Sequence, residues 1–243
     1  MNVCKDLIKS VVKNSECDGI VVGTSGGIDS SVAMALCCRA IGADKVLAIS
    51  LPTSVNNPQD VKDVRELCGV YGVKHRVVNI GSIISAFKST LNFTSPQLSG
   101  NLMARARMTV LYYYANLNNY LVCGTSNRSE YMIGYCTKWG DNVADFEPIV
   151  HLYKTEVYAM ARELKIPESI IMKAPSAGLW EGQSDEREIG MGYDKIDETL
   201  KLLENSEWVP STLEEKMVVR MVERSEHKRG RVPQVKTQIK TLL

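Results

Sequence analysis

The sequence has almost no excess charge: 29 Lys and Arg against 28 Asp and Glu leave a formal net charge of +1. That argues against a general polyanion binder, although a local basic patch stays open. A disulfide framework is also missing. The seven cysteines (4, 17, 37, 38, 68, 123 and 136) are odd in number and contain no C-x-x-C pair. They read as reduced thiols rather than a cross-linked frame or a zinc site. No apolar run approaches the ~18 residues of a membrane span, and the opening MNVCKDLIKS lacks a signal-peptide core. No repeat at a period of about 20–50 residues and no low-complexity segment is present. The expectation is a cytoplasmic protein with no nucleic-acid partner and no membrane. What remains is ordinary for a globule: 243 residues, 44% hydrophobic and 23% charged. Such values exclude a disordered or collagen-like chain. Length alone allows one large domain or two small ones. No linker divides the chain cleanly, so a single domain over 1–243 is expected.

Hydrophobic patterning gives the fold class. Residues 2–15 place Leu7, Ile8, Val11 and Val12 at helical spacing. Residues 19–23 (GIVVG) are short, apolar and β-branched, as in a buried strand. A packed helix over 28–41 follows, rich in Ala, Leu, Met and Ser, and Gly42 stops it. The alternation continues with strand 45–51, helix 60–71, strand 74–80, a helix through Ile83, Ile84 and Phe87, a long helix over 99–118, and strand 120–124. Strands alternating with helices predict a parallel sheet covered on both faces, an α/β doubly wound, Rossmann-like three-layer α/β/α fold. Residues 127–134 predict a short helix. Beyond residue 150 the strand signal fades into a helical C-terminal extension over 153–164, 167–173, 194–204 and 212–224. Residues 174–187 (APSAGLWEGQSDER) read as a long loop, and loops of that length are usually functional or disordered.

The junction after the first strand carries the first chemical signal. Gly23, Thr24, Ser25, Gly26, Gly27, Ile28, Asp29 and Ser30 join a strand to a helix. Glycines permit close ligand approach, and the amides opening the helix lie at its positive end, which suits phosphate or pyrophosphate. Asp29 would repel a phosphate unless a cation bridges them, so it is a candidate Mg²⁺ ligand. The loop has no Gly-Lys-Ser/Thr and no G-x-G-x-x-G, so neither a P-loop nor a dinucleotide fingerprint fits. The plainer alternative is a glycine turn whose Ser and Asp cap the helix.

The S-G-G-x-D-S pattern resembles the pyrophosphate loop of ATP pyrophosphatases, a motif shared by NAD, GMP, asparagine and argininosuccinate synthetases and tRNA-thiolating enzymes. Four later segments narrow the choice: 100–108 (GNLMARARM), 124–145 (GTSNRSE through KWGD to Asp145), 173–186 (KAPSAGLW with Gln183, Asp185 and Glu186) and 227–229 (HKR). In this order the set is similar to the ammonia-dependent NAD synthetases, over about residues 5–235. The resemblance implies the adenine-nucleotide alpha-hydrolase-like version of the fold. It also implies that ATP and Mg²⁺ are used to amidate deamido-NAD with ammonia, through an adenylate, releasing AMP and pyrophosphate.

Carried over by residue, the resemblance places the ATP phosphates on Gly23 to Ser30. Asp29 and Glu130 become Mg²⁺ ligands, and Thr125, Lys154 and Ser176 become ATP contacts. Asp29, Glu130 and Lys154 form the expected catalytic group. Arg105, Lys138, Asp145, His227 and Lys228 are expected to contact deamido-NAD. Ser176 stands where the family commonly has Thr, and both offer a hydroxyl. Leu51, Pro52 and Thr53 are expected near adenine or ribose. Asp141 or Asp145 could accept a proton from ammonium. The resemblance further implies a homodimer, for which helix 99–118, with Leu111 and Tyr112 to Tyr114, could supply a surface. Since the first strand begins near residue 19, no glutaminase domain is expected ahead of it, and free ammonia is the expected nitrogen donor.

Two other readings compete. A tRNA-thiolating enzyme would want paired cysteines or a basic RNA face; Cys37 and Cys38 fall in an apolar helix, and +1 gives no RNA footprint. A non-catalytic nucleotide-binding protein would not need both Asp29 and Glu130. The basic stretch 224–240 taken alone could be a solvated tail.

Overall fold

The computed structural model describes residues 1–91, 95–230 and 232. Helix α1 (Asn2–Ser15) buries Cys4 and Ile8 and leaves its lysines outside. Strand β1 (Gly19–Gly23) leads into α2 (Ile28–Ile41), buried over most of its surface because it lies between the sheet and other helices. A 3₁₀ turn at Ala43–Lys45 enters β2 (Val46–Ser50). Then come α3 (Pro58–Tyr71), β3 (Lys74–Val77), α4 (Gly81–Thr90), α5 (Pro96–Asn118) and β4 (Tyr120–Cys123). The helical remainder comprises α6 (Arg128–Ile133), α7 (Lys154–Glu163), α8 (Glu168–Ile171), α9 (Asp185–Ile189), α10 (Tyr193–Asn205) and α11 (Leu213–Ser225), ending in a 3₁₀ turn at Glu226–Lys228.

The four strands form one parallel sheet in the order β3-β2-β1-β4, with Val21 paired to Leu47 on one side and to Val122 on the other. Successive strand residues face opposite layers. Ile20, Val22, Val46 and Ala48 pack with α1, α2, α3 and α7. Val21, Leu47, Ile49 and Val122 pack with α4 and α5. This is the expected three-layer doubly wound arrangement. A third core, built on Ile133, Tyr153, Ile189, Tyr193, Ile196, Leu200 and Val218, joins α6, α9, α10 and α11. Each fully buried Ile or Leu contributes about 1.5–3 kcal/mol to these cores.

The differences from the sequence reading have local causes. Helices α3 and α5 begin at Pro58 and Pro96, ahead of 60 and 99. In both, a capping side chain comes before a first-turn proline: Asn57 accepts from Gln59 N, and Ser95 from Leu98 N. Strand β3 stops at Val77 because it is a largely exposed edge strand. Residues 174–187 are not all loop, since α9 begins at Asp185. Among the described residues, no helix is long and apolar enough to cross a membrane. The basic stretch 224–240 is described only up to Gly230 and at Val232.

Candidate active site

The strands are parallel, so their carboxyl ends share one edge, where α/β sheets bind ligands. The loop after β1 extends the sheet by one bond, Thr24 N to Ile49 O at 2.9 Å, and then turns away. Gly26 has φ +85°, and a Cβ there would lie 2.9–3.0 Å from Asp60 atoms, including backbone, so only glycine fits. Ser25 Oγ accepts from Gly27 N at 3.2 Å and lies 3.3 Å from Ser30 Oγ. The hydroxyls thereby shape a turn whose next amides open α2. First-turn amides have no acceptor within their helix, and with the helix dipole they make an anion seat.

Beside this seat stands an ion cluster assembled from distant parts of the chain. Lys154 is only 3% exposed, and its Nζ lies 2.6 Å from Asp29 Oδ2 and 3.0 Å from Glu130 Oε1. Asn127, the N-cap of α6, accepts the Glu130 N–H and donates Nδ2 to Asp29 Oδ1, each at 2.9 Å. Tyr193 OH lies 3.3 Å from Glu130 Oε1. Burial opposes the Lys154 charge, but attraction to Asp29 and Glu130 outweighs it, and the pKa rises above the ordinary lysine value. Burial likewise pushes Glu130 up; Lys154 opposes the shift and Asp29 adds to it. Lys154 therefore stays protonated through the neutral range.

Asp29 and Glu130 both reach the Lys154 ammonium, and their carboxylates are hard oxygen donors of the kind that suits Mg²⁺. Among the described residues no group of three or more His, Cys, Asp or Glu side chains could hold a metal alone. The pair fits the ion where phosphate oxygens and water complete its shell.

Asp29, Glu130 and Lys154 line one cavity of about 790 Å³. Every residue expected at ATP lines it: Gly23, Thr24, Ser25, Gly26, Gly27, Ile28, Asp29, Ser30, Thr125, Lys154 and Ser176, together with Glu130. Leu51 lines it as well, but the lining then passes to Ser54–Asn57 and skips Pro52 and Thr53. Residues 174–183 form one wall. Asn56 Nδ2 donates to Gly178 O at 2.9 Å, and Asp185 accepts from Ala177 N at 3.0 Å. Lys173 Nζ contacts Gly26 O, Asp60 Oδ1 and Asp63 Oδ2 at 3.0, 2.8 and 2.7 Å, tying this wall to the anion loop.

The residues expected at deamido-NAD lie outside the lining of that cavity. Three of them form a separate basic group: Arg105 Nη2 donates to Lys138 O at 3.0 Å, and Lys138 Nζ lies 3.3 Å from His227 Nδ1. Lys228 instead donates to Gly134 O and Cys136 O, each at 2.7 Å. Asp145 lies where residues 145–146 pair along the outer edge of β4, and its carboxylate accepts from Val122 N at 2.7 Å and from the Tyr112 hydroxyl at 3.3 Å. Asp141 lines the cavity and accepts from Thr137 N at 2.7 Å.

Several site residues were not assigned from the sequence. Asn127 sits three residues before Glu130, and that N-x-x-E spacing is a helix-start signal. Lys173 and Asp185 stood in the 173–186 segment without an assigned role, and Tyr193 gave no signal of its own. Glu147 accepts from Ser126 N and Ser126 Oγ, each at 3.3 Å, and lies so close to Gly124 that a Cβ there would be 2.2 Å from its carboxyl carbon. Burial raises its pKa from 4.5 to about 7 against the Ser126 hydrogen bonds.

Comparison with known proteins puts this geometry in a family. The NAD synthase family model matches residues 1–233. An NH(3)-dependent NAD(+) synthetase from Methanoregula boonei is 57% identical over 234 residues, 96% of this chain and 94% of the relative. Two solved structures are each 36% identical and cover 96% of both chains. One is an NMN synthetase from Francisella tularensis (TM-score 0.87), and the other an NH3-dependent NAD synthetase from Campylobacter jejuni (TM-score 0.82).

Proposed function

The chain belongs to the NAD synthase family, and on that premise we propose that its cavity carries out the ATP-dependent amidation of deamido-NAD to NAD with ammonia. The observation that carries this reading is the union of an anion-binding loop with the Asp29–Lys154–Glu130 cluster in one cavity. A nucleotide-binding protein without chemistry would have no use for a buried ammonium held between two carboxylates beside the phosphate seat.

The reaction proceeds in two displacements. The nicotinate carboxylate of deamido-NAD attacks the α-phosphorus of ATP, the bond to the β-phosphate oxygen breaks, and pyrophosphate leaves. Amides and hydroxyls of residues 24–30 hold that anion, and the Lys154 ammonium opposes its growing charge. Asp29 and Glu130 would hold Mg²⁺, which when bound neutralises further charge on the pyrophosphate. Ammonia then attacks the carbonyl of the mixed anhydride, AMP leaves, and the nitrogen gives up a proton. Asp141, which lines the cavity, is better placed to take it than Asp145. The anhydride is open to hydrolysis, and the wall formed by 174–183 shields it from water.

Arg105, Lys138 and His227 would receive the dinucleotide phosphates, and Lys228 would support them by fixing the 134–136 turn. Residues 1–243 act as a single domain. The exposed Tyr113 (61%) and Leu117 (63%), one turn apart on α5, offer a homodimer surface. Light scattering that finds a stable, fully active monomer would overturn the dimer.

The activity is tested by NAD formation and pyrophosphate release from deamido-NAD, ATP and ammonium. Parallel assays replace ammonium with glutamine, deamido-NAD with nicotinate mononucleotide, and the enzyme with Asp29→Ala. Turnover is expected with ammonium and deamido-NAD, and loss of it in the variant. Absence of NAD in the complete mixture overturns the reading.

A further inference from the structure

The helices that carry Glu130 and Lys154 both start against one carboxylate from α10. Asp197 is 2% exposed, and its Oδ2 accepts the Thr155 N–H at 2.9 Å and the Thr155 hydroxyl at 2.8 Å. Its other oxygen accepts the Ser129 hydroxyl. Ser129 Oγ in turn accepts the Lys154 N–H at 2.9 Å. Ser129 precedes Glu130, and Thr155 follows Lys154, so these bonds join the starts of α6 and α7 just where the two charged side chains leave the backbone.

The choice of a carboxylate is informative. Three donors converge on Asp197, two on Oδ2 and one on Oδ1, and a carboxylate has acceptor sites for all of them. Among the described residues no Lys or Arg side chain pairs with it. Its charge is balanced by those donors and by the positive end of α7. It lies outside the cavity lining.

We propose that Asp197 is a positioning residue for the amidation: it sets the separation of Glu130 and Lys154, and so the geometry around the departing pyrophosphate, without touching a substrate. This rests on the activity proposed above. The residue belongs to the helical extension, so α10 becomes part of the catalytic apparatus and not only a cover for α6 and α7. Small displacements of reacting groups cost far more in turnover than in binding.

The test is steady-state kinetics of Asp197→Asn and Ser129→Ala in the NAD-forming assay, with thermal unfolding of each. Thr199→Val is the control, because Thr199 is buried on the same helix and, among the described residues, its hydroxyl bonds only to Lys195 O, at 2.7 Å. In Asp197→Asn, kcat should fall by about tenfold or more. KM for ATP and deamido-NAD should stay within about twofold, while half-saturating Mg²⁺ rises. Ser129→Ala should show the same split more weakly, and Thr199→Val should change only stability. Wild-type kcat in folded Asp197→Asn and Ser129→Ala overturns the proposal, as does a loss confined to KM. If Asp197→Asn does not fold, Ser129→Ala decides. A wild type that forms no NAD refutes the amidation itself, a distinct result.

Discussion

The ammonium of Lys154 lies 2.6 Å from the carboxylate of Asp29, 125 residues away in the chain, and it fills the place between Asp29 and Glu130. One ammonium thus stands between two carboxylates that would otherwise repel each other beside the anion loop. Lys154→Met should abolish measurable NAD formation and cost about 3 kcal/mol of stability, because both carboxylates lose their partner. The same change leaves two oxygen donors facing one another. Millimolar Mg²⁺ should therefore raise the melting temperature of Lys154→Met more than that of the wild type. Calorimetry with and without Mg²⁺ checks this, and an equal shift in both proteins would sink it.

Glu147 makes stability depend on pH. Burial raises its carboxyl from 4.5 to about 7, so the folded state holds the proton more tightly than the unfolded chain. Its stabilising contribution is complete below about pH 4.5 and is lost as pH rises through about 7. At pH 8 an ionised, poorly solvated carboxylate remains against Gly124. Glu147→Gln keeps the shape and an acceptor for Ser126 N. It should raise the melting temperature at pH 8 and change it little near pH 5. Melting curves at both values check the sign; a variant less stable than wild type at pH 8 would contradict it.

The sequence made the sheet, the layers and the anion loop legible because each is local. β1, the Gly26 turn and α2 are contiguous, and strand patterning needs only neighbours. Asp29, Glu130 and Lys154 could be named from the family resemblance, yet their contact could not, since it depends on how α6 and α7 dock against the end of β1. Asp185 comes from a segment that reads as a loop, and Tyr193 and Asp197 from the start and body of a plain helical pattern in α10. Their roles arise from packing in the third core. Lys173 stood in a quoted motif, but nothing in its spacing points to Gly26, Asp60 and Asp63.

Lys173 should control ATP binding through the wall it anchors. Its side chain bridges the anion loop and α3, and it directly precedes residues 174–183. Lys173→Met removes both ion pairs and leaves Asp63 buried without its cation. KM for ATP should rise about tenfold, with a smaller change in kcat. Residues 174–183 should also become more sensitive to limited proteolysis, and ATP should protect them less than in the wild type. Unchanged KM and cleavage rates would show that Asn56 and Asp185 suffice to hold the wall.

Two substitutions separate the two substrates. The residues proposed for ATP line the cavity, whereas Arg105, Lys138 and His227, proposed for deamido-NAD, form a group beyond it. Gly26→Ala forces φ +85° on a residue with a side chain and drives its Cβ onto Asp60, so it distorts the anion loop and the Lys173 contacts beside it, not the basic group. Lys138→Ala removes an ammonium that touches His227 and lies 5.3 Å from the Trp139 ring centre, and leaves the loop intact. Gly26→Ala should raise KM for ATP at least about tenfold, with KM for deamido-NAD nearly constant; Lys138→Ala should do the reverse. Initial rates over a grid of both substrates read each KM separately. If Lys138→Ala weakens ATP as much as deamido-NAD, the basic group serves the nucleotide triphosphate, and the division of the site drawn here fails.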